Sequence, residues 1–291
     1  MNHRIIARLD IKGPNLVKGI HLEGLRVMGK PETFARHYYE SGADELIYSD
    51  VVASLYGRNS LQEIISRTAK EIHIPLTVGG GIRTVEDIRA ALRAGADKVS
   101  LNTAAIKNPE IIRQASRLFG SSTIVVTLEV IRQPDGQYLV YTDNGREYSG
   151  VEAVAWARRA EELGAGEIVL TSVDREGTGL GYDIEIIRKI TAAVGIPVIA
   201  HGGAGKPEHL REAIVDGGAS ALALASIIHY GCVGKLGMQG QFEKEGNLEF
   251  LKSGRSFFHT IQPSSFGELK QYLRASGVEC RHAIEPETVN A

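Results

Sequence analysis

"IPLTVGGGIRTVEDIRAALRAGA" (residues 74–96) returns later in the chain as "IPVIAHGGAGKPEHLREAIVDGGA" (196–219), with one residue inserted before Ala219. "GADELIYSDV" (42–51) likewise superposes on "GAGEIVLTSV" (164–173), so Gly42 falls on Gly164 and Gly80 on Gly202, an offset of 122. At a similar offset "RLD" (8–10) matches "TLE" (127–129). Each copy is an apolar run, a glycine turn and a segment of helical period. A repeated unit that cannot cover its own apolar face must stack on its twin. Closing two such four-strand units on each other predicts one barrel with a pseudo-twofold axis.

The rest of the chain agrees. β-branched runs recur at 4–10, 44–51, 74–78, 98–102, 122–130, 167–173, 196–200 and 221–226. They are continuously apolar rather than alternating, as in parallel strands covered on both faces. Helix-period stretches lie between them, for example "PETFARHYYESG" (31–42) and "GVEAVAWARRAEELG" (150–164). Thr84 with Asp87 three residues on marks a helix start, and Gly95 a helix end. Eight strands alternating with helices predict a (β/α)8 TIM barrel of two repeated half-barrels over residues 1–281; a doubly wound open sheet is the second choice. Two segments interrupt the pattern. "IRQPDGQYLVYTDNGREYS" (131–149) carries PDG and NG turn signals and predicts a hairpin over the fifth strand. The glycine-rich stretch 231–262 reads as an insertion after the eighth strand, and 282–291 as a loose tail.

Bulk properties narrow the function classes. The 33 Lys and Arg nearly balance the 35 Asp and Glu, for a formal charge of -2, so nothing points to nucleic acid. Two cysteines without a CxxC pattern and no histidine cluster point to neither a disulfide framework nor a metal, and no cofactor is implied. With no run of 18 apolar residues and no leader at the N-terminus, the expectation is a cytoplasmic protein away from membranes.

Active sites of such barrels gather at the carboxyl ends of the strands. Asp10 ends the first strand and Glu129 the fifth, opposite each other across the mouth. Two carboxylates on one cavity suit general acid–base work, because their surroundings can push their proton affinities apart. Gly79-Gly80-Gly81 and Gly202-Gly203-Ala204-Gly205 each join a strand to a helix, where free N–H groups favour an anion. Asn102-Thr103 and Ala225-Ser226 set a hydroxyl beside each loop. The pairing predicts two phosphate sites across the mouth, and so a long bisphosphorylated substrate. In the loop after the sixth strand, Thr171, Asp174 and Glu176 could line the cavity while Gly177, Gly179 and Gly181 give mobility. "LVKGIHLEGLRVMGKP" (16–31) has the length of a lid, on which Lys18 is a solvated charge or a substrate anchor. At the amino-terminal end of the strands Arg4, Glu45, Lys98 and Glu167 alternate in sign. By position alone they report stability or solvation.

The stretches "RIIARLDIK", "LVKG", "IPLTVGGGIRTVED", "GADKVSLNTAAI", "GAGEIVLTSVDREGT" with "GYD", and "IPVIAHGGAGKPEHL" resemble the cyclase subunits of imidazole glycerol phosphate synthase, over roughly residues 3–230 and 264–281. The resemblance implies the HisF family of histidine biosynthesis or a close paralogue. It further implies a reaction in which ammonia from a glutaminase subunit, bound as a heterodimer, crosses the barrel. There it attacks a phosphoribulosyl formimino-carboxamide ribotide. By the same resemblance Asp10 and Glu129 are the acid–base pair and Lys18 the lid lysine. Gly80, Gly81, Asn102, Thr103 and Gly202, Gly203, Ser226 make the phosphate sites. Arg4, Glu45, Lys98 and Glu167 become an ammonia gate, and Asp97 a docking residue for the glutaminase.

Four positions depart from the family pattern. Glu129 and Glu176 stand where the family has aspartate, Arg8 where it has cysteine and His201 where it has serine. One extra methylene moves a carboxylate by roughly an ångström, which costs on the order of 10²-fold in an unchanged pose. The changes cluster in the pocket, as expected if the substrate had changed and the ammonia machinery had not. Two alternatives follow: a paralogue that uses channelled ammonia on another phosphorylated or nucleotide-sugar substrate, and a non-catalytic scaffold for a glutaminase.

Overall fold

The computed structural model describes residues 2–53, 61–235 and 260–283. The expectations placed on 236–259 and on 284–291 lie outside the described residues.

Eight parallel strands close into a barrel. In chain order they are β1 (Arg4–Lys12), β4 (Glu45–Asp50), β5 (Leu76–Gly79), β6 (Lys98–Leu101), β7 (Ile124–Arg132), β10 (Glu167–Ser172), β11 (Val198–His201) and β12 (Ala221–Leu224). Every neighbouring pair is parallel, and pairing of β10 with β7 closes the ring. The expected barrel is therefore the observed one, and the open sheet is excluded. Helices follow the strands on the outside, among them α1 (Pro31–Glu40), α3 (Val85–Ala94), α7 (Ile184–Thr191) and α8 (Pro207–Val215). Helix α3 starts on the Thr84–Asp87 capping box and ends at Gly95 with φ 116°, as the sequence signals require.

Side chains alternate across β1 with period two. Ile5, Ala7, Leu9 and Ile11 pack outward into the core shared with the helices, whereas Ile6 belongs to a separate cluster inside the lumen with Ile47, Val125, Val169, Ile199, Ala221 and Ala223. The same alternation puts Arg4 below that apolar layer and Arg8 and Asp10 above it. The phase of one strand thus lays out floor, plug and mouth.

Two antiparallel additions decorate the mouth. β1 continues into β2 (Asn15–Ile20), which pairs with β3 (Glu23–Gly29), so the segment read as a lid is a hairpin. The fifth barrel strand β7 itself runs on to pair with β8 (Tyr138–Thr142), and β8 with β9 (Glu147–Glu152). The NG signal closes the second of these turns, where Asp143, Asn144 and Gly145 take φ of 53°, 62° and 76°.

At the amino-terminal face helix α10 (Phe266–Ala275) is pinned by Lys270, 1% exposed, whose Nζ donates to the Gly42 carbonyl and to Asp44 Oδ1, each at 2.7 Å. Asp44 Oδ2 also accepts from the Ile5 amide at 2.7 Å. Removing one member of a buried pair strands the other, so Lys270→Met is expected to cost about 3–5 kcal/mol. The urea midpoint measures it; an unchanged midpoint would contradict the pairing.

Candidate active site

The mouth holds a cavity of about 300 Å³ lined by Gly79, Gly80, Gly81, Asn102, Thr103 and Glu129, with Arg8 on its inner wall. The first glycine loop, its hydroxyl and one of the two carboxylates thus share one space. Gly80 sits at φ 89°, and a Cβ there would meet the Asp50 carbonyl oxygen at 2.2 Å. Only glycine permits that approach.

Arg8 is 2% exposed and spans the mouth, its Nε donating to Asp10 Oδ1 at 3.1 Å and its Nη1 to Thr171 Oγ1 at 2.9 Å. Burial alone would raise the Asp10 carboxyl, but the Arg8 guanidinium, with help from Lys18, more than offsets it and holds Asp10 below the ordinary carboxylate range. Glu129 goes the other way. Its burial outweighs Arg8 and the Gly145 amide, and the Asp10 charge adds to it, so its carboxyl is pushed up to about 7. Glu129 Oε2 accepts from Asn102 Nδ2 at 3.0 Å and from the Gly145 amide at 2.8 Å. Near neutral pH the mouth therefore pairs a fixed anion with a carboxyl poised to gain or lose a proton.

Lys18 is 3% exposed and ion-paired with Glu176, itself 1% exposed. That excludes the solvated-charge reading of Lys18. Glu176 Oε2 further accepts from the Leu22 amide, its carbonyl accepts from the His21 amide, and His21 Nδ1 donates to the Val173 carbonyl. These contacts hold the β2–β3 hairpin down on the loop after β10. One other expectation for that loop is corrected. Asp174 is exposed and accepts from the Arg132 amide on the outer hairpin, so it does not line the cavity. Gly177 and Gly179 lie against crossing backbone: a Cβ at Gly177 would meet the Gly19 carbonyl oxygen at 2.7 Å, and one at Gly179 the Thr260 carbonyl oxygen at 2.8 Å.

The second glycine loop differs from the first. Gly202, Gly203 and Ser226 are buried and do not line the cavity just described. Gly203 accepts from the Gly181 amide, and the Gly205 amide donates to His209 Nδ1 at 3.2 Å. The two repeat-related loops thus keep their backbone form while their surroundings diverge.

At the floor, Arg4 bonds Glu45 at 2.6 Å and Glu167 at 2.8 Å, and Lys98 bonds the same two at 3.2 and 2.9 Å. The four close a ring of alternating charge beneath the apolar layer of the lumen. Asp97, beside it, is exposed and accepts from the Leu76 amide at 2.8 Å.

Sequence reasoning missed the hairpin tip. The amide of Asp143 donates to Thr103 Oγ1 at 3.0 Å and that of Gly145 to Glu129, so the NG turn is part of the site. Its turn signal was visible; its inward fold was not. Among the described residues no cluster of three or more His, Cys, Asp or Glu could hold a metal ion, and no helix is long and apolar enough to cross a membrane.

Comparison with known proteins places the chain in a family. A family model described as "Histidine biosynthesis protein" matches residues 4–233. A Legionella pneumophila protein named imidazole glycerol phosphate synthase subunit HisF is 58% identical over 207 residues, 71% of this chain and 98% of the relative. Proteins of the same name from Methanopyrus kandleri and Methanocaldococcus jannaschii are 49% identical over 246 residues and 46% over 249; the matches span 78% and 79% of this chain and 90% and 92% of the relatives.

Proposed function

The chain belongs to the histidine biosynthesis protein family, and from that premise we infer that it is the cyclase subunit of imidazole glycerol phosphate synthase. The observation that carries the reading is the mouth itself: two buried carboxylates, one held anionic and one poised near neutrality, beside a glycine loop fit for phosphate. The reaction joins ammonia to a phosphoribulosyl formimino-carboxamide ribotide. Imidazole glycerol phosphate, aminoimidazole carboxamide ribotide and one water leave.

The residues take the following roles. Gly80, Gly81, Asn102 and Thr103 receive one phosphate of the substrate, and Gly202, Gly203 and Ser226 the other, with Lys18, Thr171, Glu176 and Gly177 shaping the wall between them. Protonated Glu129 gives its proton to the carbonyl oxygen that ammonia attacks, and recovers one as the ring closes. Anionic Asp10 stabilises positive charge developing on the attacking nitrogen.

A glutaminase subunit docks on the amino-terminal face at Asp97 and delivers ammonia through the ring of Arg4, Glu45, Lys98 and Glu167. The relatives' names, which call them subunits of a synthase, support a partner of some kind. The same reading includes a cytoplasmic location. Those names lend no support to the paralogue or the scaffold alternatives.

The test supplies the purified chain with the ribotide and an excess of ammonium salt at about pH 8, where free ammonia and protonated Glu129 coexist, without a partner, and follows the loss of substrate absorbance. Turnover that rises with free ammonia is the expected result. No turnover at any ammonia concentration would sink the reading.

A further inference from the structure

His201 has no part in the reaction just described, yet it stands inside the lumen. It ends β11 in register with Thr171 on β10 and Ala223 on β12, and is 4% exposed. Its Nδ1 lies 3.0 Å from the Ala223 carbonyl oxygen. A carbonyl can only accept, so Nδ1 carries the proton and Nε2 is left as a bare acceptor. That nitrogen is enclosed and has no hydrogen-bond partner among the described residues. An unmet buried acceptor destabilises the fold unless something donates to it.

The surroundings restrict what that donor can be. Arg8 of β1 bonds Thr171, the register neighbour of His201, while Lys18 of β2 and Asp10 of β1 also act on the ring. Burial first, and Arg8 second, lower the imidazole to about 3, so it stays neutral and accepting throughout the working range. The Arg8 charge equally disfavours a cation. In the other half-barrel the repeat-related position is Gly79, which opens onto the mouth cavity. Here an imidazole fills the equivalent space and turns a bare acceptor into it.

We propose that His201 Nε2 is a holding site for neutral ammonia, accepting one of its N–H groups at the top of the lumen beside Thr171. The proposal rests on the ammonia-using reading above and adds a site to it. Ammonia presents three N–H donors and one lone pair, so a site that accepts leaves the lone pair free for attack. The imidazole takes no proton, and no bond is made or broken.

The test compares His201→Leu, which has no acceptor, with His201→Gln, whose carbonyl can replace one. The Michaelis constant for free ammonia is expected to rise about tenfold in His201→Leu, the loss of one ordinary hydrogen bond. It should return most of the way in His201→Gln, while the constant for the ribotide stays put. Independently of turnover, the Nε2 resonance of wild-type protein labelled with nitrogen-15 histidine should move on adding ammonium chloride at pH 9, and not on adding potassium chloride. Unmoved resonance together with an unmoved ammonia constant would overturn the site and leave water as its occupant. A moved resonance in a protein that does not turn the ribotide over would keep the site and sink the reaction.

Discussion

Asp10→Asn is expected to lower turnover with the ribotide and ammonium by on the order of 10³–10⁴, the upper part of the usual range for a single acid–base group, because it removes the carboxylate that pairs with Arg8 in the mouth. The change is isosteric, and the amide oxygen can still accept from Arg8 Nε. What is lost is the anion facing the reaction. The buried guanidinium also loses its counter-charge, so stability should fall by about 3 kcal/mol. A thermal scan and a circular dichroism spectrum separate that cost from unfolding. Activity within tenfold of wild type, from a folded variant, would remove Asp10 from its role.

Glu129→Gln should produce the opposite pairing of effects. Turnover falls by about 10²–10⁴, since an amide cannot exchange the proton. Stability at pH 8, by contrast, rises. A carboxyl at about 7 in the fold, against an ordinary value of 4.5, binds its proton more tightly when folded than when unfolded. Its contribution to stability is then fully present below the unfolded value and lost as pH climbs through about 7. Between those limits the loss approaches about 3 kcal/mol, at roughly 1.4 kcal/mol per pH unit. Wild type should therefore weaken across neutrality, and Glu129→Gln should not. Asp10 runs the other way: its lowered carboxyl supports the fold above the unfolded value, and that support fades only in acid. Parallel stability curves for wild type and Glu129→Gln from pH 5 to 9 would contradict the assignment. The activity profile should bend near the same pH, with the protonated side as the active one for the acid step.

Much of this was legible in residue order. Continuous apolar runs located all eight barrel strands, because strands covered on both faces have no polar side to show. The internal repeat then closed the sheet, and it placed Gly80 opposite Gly202 and Glu45 opposite Glu167. The period-two alternation of β1 carried more than was read from it: Arg4, Ile6, Arg8 and Asp10 name the floor, the plug and the mouth in turn.

What stayed hidden depended on contacts between distant residues. Arg8 meets Thr171 from 163 positions away, and Lys18 meets Glu176 from 158. No local pattern pairs them. The close packing of Gly177 and Gly179 was hidden because glycine at a loop tip and glycine under a crossing backbone are identical in sequence. The turn at Asp143–Gly145 announced its shape but not its direction. Its amides reach Thr103 and Glu129 only because β7 continues past the barrel rim before folding back.

The most direct measurement of the central claim follows one labelled atom. The protein is supplied with nitrogen-15 ammonium and the unlabelled ribotide, and the products are weighed by mass spectrometry. Imidazole glycerol phosphate carrying a single nitrogen-15, beside unlabelled aminoimidazole carboxamide ribotide, is the expected result. An untouched ribotide, or label in any other phosphorylated product, would contradict it.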